Sequence, residues 1–266
     1  MTSTRNKAFS KVLCAIALVM AIGFAGACKK EAGADDALTA SGSWRYKITV
    51  SVETPEGIKS GYAIREMSNS RSKNEINLPQ SVHPAKIKGE AVVVDLGARG
   101  RLFALLTGYK YGPDHAKTIL FDVFPSGSGG DSAAGIRFYR DLKAGPKAMT
   151  PGQYPVLVMF KDINDPKTVT KVMDIERDIN QPANVYIYNV KADRFEELFG
   201  KGVKLKEITM EMTDEPVTWS VDQFLSWLPD YYSQQLDGQK FQTIDSLYPV
   251  ASSLSSGAFS AGKNRN

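Results

Sequence analysis

Gly130-Asp131-Ser132 sets a serine among small residues, where a hydrolase would present a nucleophile. The rest of that machinery is missing around it. A nucleophile elbow of the G-x-S-x-G type needs glycine where Ala134 stands, and hydrolases that open on this triplet place their histidine downstream. Here both histidines, His83 and His115, precede Ser132. Residues 125–132 therefore read as a flexible loop, and with no Gly-Lys-Ser/Thr ending they are not a phosphate loop. His115 follows Asp114, a helix-capping residue type, which places the imidazole in a first helical turn. The helix dipole there opposes protonation and would keep a neutral base, although a surface histidine looks the same. His83 sits before Pro84 in a polar stretch, and with two histidines and two cysteines in 266 residues no ligand set has zinc spacing. Asp162, Asn164 and Asp165 open like a calcium loop, but counted from Asp162 the sixth residue is Lys167 instead of glycine and the twelfth is Met173 instead of glutamate. A turn whose Asp and Asn side chains bond their own backbone explains the segment better. No catalytic residue, metal ligand or cofactor is assigned from these residues.

Cys28 offers a different chemistry. Arg5, Lys7 and Lys11 precede an uncharged run of 17 residues, 12–28, that ends in Ala25-Gly26-Ala27-Cys28. A basic start, a short apolar middle and small residues at the end are the layout of a secretory leader cut after residue 27. The run sits at the lower limit for spanning a hydrocarbon core of about 30 Å, and Gly23 and Gly26 weaken it as a helix. Cys14 lies inside the leader, so the exported chain keeps one cysteine, at its first position. An unpaired thiol is a liability in an oxidising compartment, and acylation removes it.

These residues resemble the lipobox of bacterial lipoprotein export signals, which ends in a small residue followed by the modified cysteine. Ala25 departs from that pattern, which usually has leucine there, and Ala25-Gly26-Ala27 also fits the A-x-A site of ordinary signal peptidase. The resemblance implies a multiply acylated Cys28 as lipid attachment site, palmitate-type chains included. It also implies, with Lys29 rather than Asp next, transfer to the periplasmic face of the outer membrane. Several chains hold firmly where one does not, because each buried methylene adds about 0.8 kcal/mol.

The full chain carries 33 Lys+Arg against 29 Asp+Glu, a net charge of +4. Removing residues 1–27 takes away three basic and no acidic side chains, which leaves 30 against 29, or +1. A body that close to neutral has no general attraction for nucleic acid, so none is expected as a partner.

The elements follow from periodicity. Residues 28–42, small and charged, read as the lipidated cysteine and a flexible tether; residues 43–250 read as one domain, and 251–266 as a flexible tail. Trp44, Tyr46, Ile48, Val50 and Val52 alternate with polar residues, which makes a strand with one wet face; Pro55-Glu56-Gly57 turns it into a return strand over 58–67. Residues 91–96, 102–106 and 155–160 are apolar on both parities and predict strands covered on both faces. The apolar parity of 203–213 switches near Lys206-Glu207, which predicts a bulge. A strand is expected over 185–190 and helices over 114–124, 193–199 and 220–228, the last opened by a Ser220 to Gln223 capping box. Trp219, Phe224, Trp227, Tyr231 and Tyr232 concentrate aromatic surface around that last helix, as core packing or as a partner-binding face. Hairpins dominate, so the expected class is α+β, mainly β: an antiparallel sheet or β-sandwich with two or three packed helices.

The segments 55–66, 89–97 and 154–166 resemble a set of proteobacterial secreted proteins without a characterised activity. That resemblance spans most of residues 44–228, agrees with a single domain and brings no site residues. The reading is a lipid-anchored cell-envelope protein whose domain binds or assembles with an envelope protein or cell-wall partner, with the membrane engaged through Cys28. The alternative is an envelope hydrolase that uses paired carboxylates, which sequence cannot place in space.

Overall fold

A computed structural model describes residues 39–71, 85–182 and 184–263. The leader, Cys28, most of the tether and His83 lie outside the described residues. The protein is α+β and mainly β, built from antiparallel sheets and five short helices among the described residues. Strands β1 (Ala40–Thr54) and β2 (Gly57–Arg71) form a hairpin in register from Ala40↔Arg71 to Thr54↔Gly57, closed at Pro55-Glu56. β3 (Lys86–Glu90) extends that hairpin on one side. Next come β4 (Val92–Asp95), β5 (Arg101–Gly108), helices α1 (His115–Val123) and α2 (Ala133–Asp141), β6 (Lys147–Ala148), β7 (Pro155–Phe160) and β8 (Val169–Lys171). β9 (Met173–Arg177) and β10 (Tyr188–Asp193) pair as a separate two-stranded arm. Helix α3 (Phe195–Phe199), β11 (Lys204–Thr213), the helical turns α4 (Val221–Phe224) and α5 (Pro249–Ser252), and β12 (Ser260–Ala261) complete the chain. The first sheet has the order β12-β3-β2-β1-β11-β6 and the second β4-β5-β7-β8.

The alternation in β1 does what period two dictates: Tyr46, Ile48, Val50 and Val52 are buried on one face. They meet Val92, Val94, Leu102, Ala104 and Leu157 from the second sheet, with Ile119, Leu120 and Tyr139 of α1 and α2 beside them. The opposite face of the second sheet, with Phe103, Leu105, Val156, Val158 and Phe160, is covered by Val221, Leu225, Leu228, Leu236, Ala251, Leu254 and Phe259. The three strands that are apolar on both parities are thus the middle of three layers. Gly61 lets β2 and β4 touch, since a Cβ there would lie 1.9 Å from the Val93 carbonyl oxygen. The bulge falls where the parity switch puts it: Ser51 faces Glu207 while Val52 faces Leu205, so Lys206 is the extra residue.

Several expectations are corrected. The tether does not run to residue 42, because β2 continues to Arg71 and Ala40, Ser41 and Gly42 pair with Arg71, Ser70 and Asn69. The tail is not loose: among residues 251–263, Ala251, Leu254 and Phe259 are buried, and β12 pairs with Gly89 and Glu90. Three apolar side chains at irregular spacing carry no period, yet the back of the second sheet needs them. The strand expected over 185–190 lies further on, at Tyr188–Asp193. The stretch 125–132 is not simply a flexible loop, because its last residue caps α2: Ser132 Oγ accepts from the Gly135 N–H at 2.9 Å. The helix over 220–228 shrinks to one turn, and the capping box does not form because the Ser220 hydroxyl is bonded to Glu90 instead.

Two buried charges tie the layers together. Arg65 lies on the inward parity of β2 between Ala63 and Met67 and is wholly buried. Its Nε donates to the Glu90 carbonyl at 3.0 Å, and Nη2 donates to the carbonyls of Ala104 at 3.4 Å and Leu105 at 3.2 Å. The Glu90 carboxylate, 1% exposed, accepts from the backbone N–H of Ser220 at 2.5 Å and of Val221 at 2.7 Å, and from Ser220 Oγ at 3.0 Å. Arg65→Met is expected to lower the unfolding free energy in urea by about 3 kcal/mol or more, because three buried carbonyls lose a charged donor. A loss below about 1 kcal/mol would show that those carbonyls find other partners.

Candidate functional site

A cleft of about 440 Å³ opens where the far end of β2, the start of α1 and the approach to α2 meet. Asn69, Asp114, Lys117, Thr118, Phe121 and Asp131 line it. Asn69 is nearly buried and held at both ends: its Oδ1 accepts from the Ser70 N–H at 2.8 Å and its Nδ2 donates to the Gly130 carbonyl at 3.4 Å. Lys117 donates to Asp114 Oδ1 at 3.1 Å, and Thr118 Oγ1 donates to the Asp114 carbonyl at 3.0 Å. The Gly-Asp-Ser triplet brings Asp131 to this wall, while Ser132 is committed to capping α2. Phe121 supplies an apolar wall. Carboxylates, an amide, a hydroxyl and an aromatic ring around a shallow opening suit the retention of a polar ligand. Among the described residues no nucleophile bonded to a base lines it.

His115 is the sharpest departure from sequence reasoning. It does occupy the first turn of α1, but it turns inward and is fully buried. Gly108 makes the space, since a Cβ there would lie 2.0 Å from His115 Nδ1. Neither ring nitrogen has a hydrogen-bond partner among the described residues. Burial pushes its pKa down to about 3, and the charge of Arg65 adds to the fall. Tyr46, cross-strand from Arg65, donates its hydroxyl to the Ala116 carbonyl at 2.5 Å, and burial raises its pKa. Arg65, His115 and Tyr46 thus form a polar knot inside the sandwich, sealed from solvent. The signal in the sequence was an arginine on the apolar parity of a strand.

A second polar group lies between β5 and α1. Asp122 accepts from Lys110 Nζ at 2.5 Å and from the Tyr111 hydroxyl at 2.7 Å. Burial raises the Tyr111 pKa; burial works against the Lys110 charge, but the bond to Asp122 prevails and raises that pKa as well. Both shifts stabilise the resting protonated forms, the opposite of what a general base needs.

The remaining candidates separate. Asp162 Oδ1 accepts from the Asn164 N–H and Asp165 Oδ1 from the Lys167 N–H, each at 2.9 Å, as a self-bonded turn requires. Among the described residues no three His, Cys, Asp or Glu side chains are grouped to hold a metal ion. The two carboxylates buried among the described residues, Glu90 and Asp237, are each consumed by local donors: Glu90 by Ser220 and Val221, Asp237 by the Gln239 N–H and the Ser246 hydroxyl. The aromatic group disperses. Trp227 packs on Phe160 and Phe259 and donates to the Ile163 carbonyl, Tyr231 packs on Trp227, and Phe224 lies beneath Arg101. Trp219 lines a separate surface cleft, where Arg45 and Lys88 are paired with Glu66.

The His115 environment sets a pH dependence. The imidazole is neutral when folded and gains a proton on unfolding, so its contribution falls away as pH drops from about 6.5 toward 3. Between pH 7 and pH 5 this amounts to about 2 kcal/mol, which His115→Leu removes. Urea titrations of both proteins at the two pH values check it, and parallel losses would refute the assignment.

No family model, curated protein or solved structure matches the chain.

Proposed function

We propose that this chain is a lipid-anchored cell-envelope protein, held through Cys28 at the periplasmic face of the outer membrane, whose domain binds a partner rather than transforms a substrate. The observation that carries the reading is the position of Cys28, directly after a basic, apolar, small-residue leader and alone once Cys14 is removed. The side chains of the domain are consistent with binding. His115 is sealed, Lys110 and Tyr111 hold their protons, and among the described residues the open cleft carries polar side chains and a ring without a nucleophile bonded to a base. The cleft also stands at the tethered end of the hairpin. Ala40 pairs with Arg71, Arg71 donates to the Asp131 carbonyl, and Arg137 of α2 donates to the Thr39 carbonyl. A partner in the cleft would therefore sit beside the start of the tether, a suitable place for an envelope protein or a cell-wall component.

Cys28→Ser is expected to move the protein from the membrane pellet to the soluble fraction of lysed cells. The native product should have an intact mass that begins at an acylated Cys28. An unprocessed start, a bare N-terminal thiol or an unchanged distribution of the variant would each overturn the anchor.

A further inference from the structure

Residues 240–248 form an exposed loop that carries three large apolar side chains. Phe241 is 70% exposed, Ile244 100% and Leu247 90%; Gln242, Thr243 and Asp245 between them are exposed as well, and Ser246 is half-buried. The Thr243 N–H donates to Ser252 Oγ at 3.0 Å, and the Ser246 hydroxyl donates to Asp237 Oδ2 at 3.0 Å. Ser252 and Asp237 are themselves buried. Tyr248 closes the segment, with its N–H donating to Ser246 Oγ and its carbonyl accepting from the Ser252 N–H. These bonds pin the loop to the buried Ser252 and Asp237 while three large apolar side chains stand in solvent, which burial alone would not select.

We propose that this loop dips into the headgroup boundary of an anionic lipid bilayer, with Phe241, Ile244 and Leu247 as the inserting tips. The inference rests on the anchored reading above and adds a second contact to it. Three arguments favour lipid over a protein partner. The tips project singly from an irregular loop instead of forming a flat face or groove, a shape suited to a fluid layer. Lys240 lies 5.7 Å from the Phe241 ring and Lys167 lies 5.6 Å from the Tyr248 ring, so cations flank the apolar side chains as they do at anionic membrane surfaces. The chain between Cys28 and the first described residue, 29–39, reaches at most about 40 Å when extended. An acylated Cys28 thus keeps the bilayer within reach of a domain whose longest strand is about 50 Å.

The test uses the full exported protein, acylated at Cys28 and reconstituted into vesicles of phosphatidylethanolamine and phosphatidylglycerol. Ile244→Cys carries an environment-sensitive fluorophore; Thr209→Cys, on the outward face of the first sheet, is the control. Flotation reads the anchor and the fluorophore reads the loop, so the two readings fail separately. Expected is a blue shift at residue 244, with quenching by lipids that carry a nitroxide about 5–10 Å below the phosphates, and neither effect at residue 209. Lys240→Glu with Lys167→Glu should reduce the quenching, as should vesicles of phosphatidylcholine alone. Floating protein whose residue 244 stays in water overturns the proposal. So does a fluorophore shielded without lipid as protein concentration rises, which marks a second copy as the occupant, or one shielded only in native envelopes, which marks a protein partner.

Discussion

One arginine inside a sandwich sets the terms for the rest of the molecule. Stripping water from a guanidinium costs several kcal/mol, which is recovered only if its donors are met and an opposing charge lies near. Arg65 meets the carbonyls of Glu90, Ala104 and Leu105 through Nε and Nη2, with Nη1 lacking a partner among the described residues, and so stitches β2 to the end of β3 and to β5. The Leu105 carbonyl is reachable because the β5–β7 ladder slips register between Ala104 and Gly108. Burial lowers the Arg65 pKa, while Tyr46 and Glu90 act to raise it. Glu90 in turn points its carboxylate away, at the amides of Ser220 and Val221, where the C-terminal layer begins. The first sheet, the second sheet and the layer behind it are therefore linked through a single pair of neighbouring charges.

That linkage explains why the most active-looking side chains are silent. Arg65, His115, Tyr46 and Glu90 lie closer to a catalytic composition than anything at the surface cleft, yet all four are buried and three serve backbone groups. His115 fits because Gly108 lacks a side chain, and it stays neutral because burial disfavours its charged form, with the positive charge of Arg65 adding to that. Polar chemistry is used here to fix the packing of sheets, and the exposed polar groups are those at the edges of the layers.

What the sequence made legible was whatever carried a period. The alternation of β1, the strands apolar on both parities and the switch at Lys206 each encode which face is wet, and each appears where the pattern put it. β3 and α2 were missed for opposite reasons. Lys86–Glu90 is half charged and pairs only because β2 and β12 flank it. Ala133–Asp141 begins on a Gly-Ser-rich stretch that looks like a loop until Ser132 caps it. Of the cleft, Asp131 and Asp114 were on the page as parts of other motifs, but their meeting with Asn69 depends on β2 running on to Arg71.

The C-terminal layer was the least legible part, and its two faces have one explanation. A segment that must cover Phe103 and Phe160 with scattered residues such as Leu236, Leu254 and Phe259 cannot hold a regular helix or strand, because those positions share no period. Its backbone is held instead by short polar staples: Ser220 and Val221 on Glu90, Gln239 and Ser246 on Asp237, Thr243 on Ser252. In 240–248 the staples fall at Thr243 and Ser246, three residues apart, and leave Phe241, Ile244 and Leu247 on the outside. The same construction that seals the second sheet therefore leaves an apolar projection in this layer, because a bond that holds the backbone does not bury the side chains beside it.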